Sequence, residues 1–222
     1  MPRRNRVTPW NAIIATDARG TLMGNRGQLH DDDGNLRRRW TTLAWIACLL
    51  EFKGRKRQLM APGLYTELFF LDEAVAFAAG HRPCFECRRP DAVRFRDTWI
   101  AANPGSGVRP GDRITALDLV LHAERVAADG TKPVTRTYLN TLPDGVFVAL
   151  DDVPGEAWLN WLGQLHRYTP AGYVDARPRM RGVQVELLTP PSVVAAIAAG
   201  YVPSVHFSAE SGGDELLDLT AL

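Results

Sequence analysis

Cys84-Phe85-Glu86-Cys87 is a C-x2-C turn. Two thiolates at that spacing converge on one tetrahedral ion, because the intervening backbone turns back and aims its amides at the sulfurs. One such pair is half a site, and Cys48 is the only other cysteine in the chain. A second set of reactive types lies at Glu51-Phe52-Lys53. On a strand Glu51 and Lys53 share a face, as in a metal-dependent nuclease whose carboxylate holds Mg2+ while the lysine polarises the attacking water. The same stretch runs on into Gly54-Arg55-Lys56-Arg57, so Lys53, Arg55, Lys56 and Arg57 also read as the phosphate-gripping tip of a hairpin. Arg37-Arg38-Arg39 and Arg88-Arg89 are further basic clusters. The acidic run Asp31-Asp32-Asp33 lacks the alternation and the distant bidentate Glu of a calcium loop and reads as a solvated turn.

The elements that must hold the cysteine turn are legible on both sides of it. Residues 66 to 70 read as a strand, followed by a helix from about Asp72 that Gly80 stops. Pro90 and Asp91 start the next helix, with Val93, Phe95 and Trp99 inward, and its dipole favours thiolates at its N-terminus. Upstream, residues 40 to 52 are apolar nearly throughout and read as one buried strand, paired in a hairpin or meander with the strand before it. Residues 11 to 16 and 21 to 23 are shorter strand candidates.

Ala78-Ala79-Gly80-His81-Arg82-Pro83-Cys84 with Cys87, behind an aromatic strand and a short Ala-rich helix, resembles the zinc-binding domain of the Ada DNA-repair protein and related zinc knuckles appended to nucleases. The resemblance covers residues 66 to 89. It implies a nucleic-acid-associated zinc module of treble-clef-like form, linked to repair, with DNA ahead of RNA as partner. It does not carry alkyl transfer, since nothing else in the chain resembles the methyltransferase domains of that family. In the family two further ligands lie close together on a hairpin before the strand; here only Cys48 stands there. The resemblance therefore implies Cys48, Cys84 and Cys87 as metal ligands. For the fourth, His30 on the preceding hairpin arm comes first, His81 second and His206 third. If no protein group completes the shell, a water does, and zinc would lower its pKa.

The second half changes character. Residues 103 to 112 are rich in Pro and Gly, an amphipathic helix follows over 114 to 127, and short strands are expected over 146 to 150, 157 to 162, 164 to 169 and 183 to 188. His166, Arg167, Tyr168 and Tyr173 crowd one turn-rich segment that could take a phosphate or a base. Residues 198 to 206 echo residues 78 to 86, which reads as two uses of one helix-stop motif. The expected organisation is an α+β chain: a basic zinc-knuckle domain over 1–103, a linker over 104–113, a small β-rich domain over 114–208 and a tail over 209–222.

Composition narrows the function classes. A chain of 222 residues that is 45% hydrophobic can bury a sizeable core, no tract approaches a membrane span, and no signal-peptide pattern opens it, so a cytoplasmic protein is expected. An odd cysteine count with two at metal-ligand spacing argues for reduced thiols. The net charge of +1 hides an asymmetry: residues 1–113 hold 19 Lys and Arg against 12 acids, and residues 114–222 hold 7 against 13. The leading expectation is a nucleic-acid-binding protein with structural zinc, gripping phosphates through Arg37, Arg38, Arg39, Lys53, Arg55, Lys56, Arg57, Arg88 and Arg89. Two alternatives stand beside it: a metal-dependent nuclease or other hydrolase using His30, Glu51, Lys53 and an acid from 31–33, and a protein-interaction module.

Overall fold

The chain is described by a computed structural model over residues 2–55 and 58–210. Its architecture is mixed α+β, two six-stranded sheets with four α-helices among the described residues. No helix there is long and apolar enough to cross a membrane.

The first sheet is assembled from short strands of distant origin. Arg4–Val7 (β1) pairs antiparallel with Ile13–Ala15 (β2), Leu22–Asn25 (β3) pairs antiparallel with Ile46–Leu49 (β4), and Leu68–Phe70 (β5) lies between the two pairs, parallel to β1 and antiparallel to β3. The order is completed by Arg82–Pro83 (β6), parallel to β4 at the other edge. Glycine is required at Gly24, because a Cβ there would lie 2.4 Å from the Phe70 ring on the neighbouring strand.

Residues 40 to 52 were expected as one strand, and only β4 is extended. Local side-chain bonding turns the chain before it: Thr42 Oγ1 accepts from the Ala44 amide at 3.2 Å, and the Trp45 indole donates to the Thr42 carbonyl at 3.0 Å. Strand β1, by contrast, was unexpected. Its Arg6 is buried by giving its guanidinium to the carbonyls of Pro170 and Ala18.

Helix α1 (Glu73–Ala78) follows β5 and is buried along its whole length. Asp72 caps it, accepting from the Val75 amide at 2.9 Å. The same carboxylate accepts from Tyr173 Oη and the His206 amide, while Glu73 accepts from Tyr201 Oη and the Ser204 amide. Gly80 at φ 77° ends the helix, with its amide on Phe77 O and the His81 amide on Ala76 O. After β6 and the cysteine turn come α2 (Arg89–Ala102) and α3 (Ile114–Arg125).

The second sheet is antiparallel throughout. It holds Thr135–Tyr138 (β7), Val146–Ala149 (β8), Trp158–Trp161 (β9), Gln164–Thr169 (β10), Gly172–Pro178 (β11) and Gln184–Leu187 (β12), in the order β11-β10-β9-β8-β12-β7. Helix α4 (Pro191–Ala198) stops as α1 does: the Gly200 amide bonds Ile197 O and the Tyr201 amide bonds Ala196 O. The sequence echo is thus a shared helix stop.

The apolar cores do not follow the chain halves. One cluster joins Val7, Leu68, Phe70 and Val75 to Phe147, Leu159, Tyr173 and Leu188; the other joins Phe77, Phe95 and Trp99 to Leu121, Val148, Val185 and Tyr201. Residues 104–113, expected as a linker, connect α2 to α3 beside this shared core. Phe77 packs on Phe95 at 5.2 Å and on Tyr201 at 5.4 Å, pairs worth about 0.5–1.5 kcal/mol each beyond their burial.

Candidate metal centre

Parallel pairing of β4 with β6 sets the geometry of the centre. Ala47 lies opposite Pro83, and the Cys84 amide donates to Ala47 O at 3.0 Å, so Cys48 and Cys84 leave their strands side by side. The turn to α2 then returns Cys87 to the same point. The three Sγ atoms all lie within 4.8 Å of one another. Thiolates bonded at about 2.3 Å to one tetrahedral ion sit roughly 3.8 Å apart, so the trio fits a metal with only small adjustments.

The electrostatics favour thiolate at Cys84 alone. Amides of Leu49 and Glu86 donate to Cys87 Sγ and Cys84 Sγ, each at 3.4 Å. Hydrogen bonding from Cys48 pulls the Cys84 thiol down to about 5, whereas Cys48 is driven far up, first by that same bond and then by its burial. Burial raises Cys87 as well. One thiolate is therefore stabilised by two protonated neighbours, and a cation replacing those protons would hold all three. Soft sulfur donors of this kind suit zinc among the common metals.

No fourth donor joins the trio among the described residues. His30, the first choice for that role, is buried elsewhere: Nδ1 meets Thr66 Oγ1 at 2.6 Å and Nε2 meets Ala61 O at 3.2 Å. It lies beyond the end of β3, and the residue facing Cys48 across the sheet is Met23. His81 Nε2 accepts from Arg26, and His206 Nδ1 meets Ser208 Oγ.

The candidate catalytic pair of the nuclease alternative is not assembled. The strand ends at Leu49, so Glu51 and Lys53 do not share a strand face. Both are exposed, and Lys53 sits at φ 54° over the Phe52 ring. Among the described residues Glu51 belongs to no group of three possible ligands.

The basic residues separate into three kinds. Arg88 was expected on the surface but is buried, bonded to Glu73 at 2.6 Å and Asp91 at 3.0 Å, where it locks the start of α2 to α1. Arg55 and Arg37 are exposed yet ion-paired, to Glu86 at 2.5 Å and Asp31 at 2.7 Å. Arg38, Arg39 and Arg89 are exposed without an acidic partner among the described residues, Arg39 donating to Gly130 O. Lys56 and Arg57 lie outside the described residues. In the second half, His166 is buried and Arg167 pairs with Asp175, so that segment stays within its sheet.

Arg26 is the residue that sequence reasoning missed. It stood in Gly24-Asn25-Arg26-Gly27, read as a turn, yet it is buried and lines a cavity with Arg4, Arg37, Arg38 and Arg39. No protein-family model, curated protein or solved structure matches this chain.

Proposed function

We propose that the protein binds one zinc ion through Cys48, Cys84 and Cys87 and is a nucleic-acid-binding protein in which that zinc is structural. The observation that carries the reading is the convergence of three thiols from two segments some 36 residues apart, 48 and 84–87, on one point between β4, β6 and α2. Zinc there would fasten a sheet edge to a helix start, which is what a structural site does. The nucleic-acid part rests on exposed cations of the same half that have no ion-pair partner among the described residues, Arg4, Arg38, Arg39, Lys53 and Arg89 among them, and on the resemblance of residues 66 to 89 to repair-associated zinc modules. That resemblance puts DNA ahead of RNA and makes the module treble-clef-like.

Two measurements on purified protein test the reading. Elemental analysis is expected to give about one zinc per chain, as a single three-thiolate site requires. Binding of a short DNA duplex is expected to weaken steeply with salt, as phosphate contacts do when counterions are released. Protein free of metal, or DNA affinity independent of salt, would sink the corresponding part.

A further inference from the structure

Five arginines line one cleft of ≈ 310 Å³ on the first sheet. Arg4 comes from β1, Arg26 from the turn after β3, and Arg37, Arg38 and Arg39 from the segment leading to Trp40. No carboxylate among the described residues lines the cleft. Among the described residues only Arg37 has an ion-pair partner. Arg4 donates through Nε to the Ile13 carbonyl at 2.8 Å, and Arg39 to that of Gly130.

Arg26 forms the floor. The residue is 1% exposed, its Nε donates to His81 Nε2 at 3.0 Å, and its guanidinium stacks on Trp45 at 4.0 Å, but Nη2 has no hydrogen-bond partner among the described residues. The surroundings are cationic. Arg125 stacks on the same Trp45 ring at 4.2 Å, and its own terminal nitrogens go to the carbonyls of Gly80 and Leu43. Lys132 Nζ, close enough to feel Arg26, donates to the carbonyls of Pro9 and Ala78. Burial, then the fields of Arg125 and Arg39, hold the Arg26 pKa well below its usual value. Asp118, Glu186 and Asp129 act on Arg125, Lys132 and Arg39 from nearby, but among the described residues no carboxylate pairs with Arg26. Burying its charge unpaired is costly, and an anion in the cleft would offset that cost.

We propose that this cleft is a receptor for the terminal phosphomonoester of a nucleic-acid strand, with Arg26 as its floor and Arg4, Arg38 and Arg39 as its rim. The guanidinium fork matches phosphate oxygens in pairs, which a lone ammonium does not. A phosphomonoester carries about −1.5 to −2 charge and three free oxygens. An internal phosphodiester has one charge and is tethered on both sides, so it cannot bring its oxygens down to a floor this covered. The phosphate chemistry stands on the cleft alone; only the strand as its source rests on the nucleic-acid reading above.

The test titrates the full chain with an internally labelled single-stranded DNA in three forms, bearing a 5′-phosphate, a 3′-phosphate, or hydroxyls at both ends. One phosphorylated form is expected to bind about tenfold or more tightly than the hydroxyl form, the size of a charged hydrogen-bond contribution. Arg26→Gln is expected to abolish that preference, so that the phosphorylated and hydroxyl strands bind it equally. Arg38→Gln, on the exposed rim, reduces the preference and keeps the test available if Arg26→Gln does not fold. Inorganic phosphate, against chloride at equal ionic strength, is expected to raise the Tm of the wild type and not of Arg26→Gln.

Equal affinity for all three strands overturns the proposal and leaves the nucleic-acid reading standing. A mononucleotide that competes as well as the phosphorylated strand overturns the strand end as the source. No binding of any strand, with phosphate still stabilising only the wild type, overturns the strand end and the nucleic-acid reading together.

Discussion

Asp118 accepts both arms of the Arg82 guanidinium, Nε at 2.7 Å and Nη2 at 2.8 Å, with both side chains buried. Arg82 stands two residues before Cys84, and Asp118 belongs to α3. A helix from the second half of the chain thus braces the strand that delivers the first thiol of the C-x2-C turn.

Asp118→Asn is expected to destabilise the protein by about 3–5 kcal/mol, because it leaves the Arg82 charge buried without its counterion. Urea unfolding measures this. Replacing both partners by apolar residues should cost much less, since no orphan charge remains. A single variant as stable as the wild type would show that the pair does not brace the turn.

Cys48→Ser, Cys84→Ser and Cys87→Ser are each expected to lower zinc content and melting temperature together, because structural zinc supplies folding free energy directly. Elemental analysis beside calorimetry reads both. A chelator should reproduce the effect in the wild type and add little in the variants. A variant that keeps its zinc removes that cysteine from the ligand set.

The Lys132 ammonium is enclosed although its stem is half-exposed, and burial, then Arg26, pushes its pKa down to about 7 from 10.5. Between those values the unfolded chain holds the extra proton, so stability should rise with pH across this window and be lost as pH falls towards 7. The slope is at most about 1.4 kcal/mol per pH unit for one proton. Lys132→Met should flatten the curve of unfolding free energy between pH 7 and 10. Parallel curves for variant and wild type would contradict this origin.

Glu51→Gln is expected to change stability by less than about 0.5 kcal/mol, as exposed substitutions do, and to leave DNA affinity and any Mg2+-dependent cleavage unchanged. Binding and cleavage assays run side by side check this. Loss of a measurable cleavage activity with binding retained would restore the nuclease reading.

What was legible in the sequence was what local chemistry decides. The Gly80 stop, the start of α2 behind the C-x2-C turn and the strand 164–169 each carry their own signal within a few residues, and each stands where expected. Residues 40 to 52 misled because apolar content without alternation fits several conformations, and Thr42 chose among them through short-range hydrogen bonds. His30 misled because a histidine on the arm before β4 reads as a partner for Cys48, whereas Thr66 and Ala61 occupy both its ring nitrogens. Arg26 was invisible for the opposite reason: a cation in a glycine-flanked turn is ordinarily solvated, and its burial depends on Trp45 and His81 from segments far along the chain.

The capping of α1 has a consequence for how the protein is made. Beyond the local bonds from Val75 and Arg88, the donors to Asp72 and Glu73 come from residues 173 to 206, so on the ribosome those two carboxylates lack them until residues 101 to 134 positions further on have emerged. At about 5–20 residues per second that delay is several seconds or more. A nascent chain arrested before Tyr201 should be cut within α1 by protease, and one released at full length should be protected. The helix before the cysteine turn thus gains its full set of hydrogen bonds only after residues far along the chain have been translated.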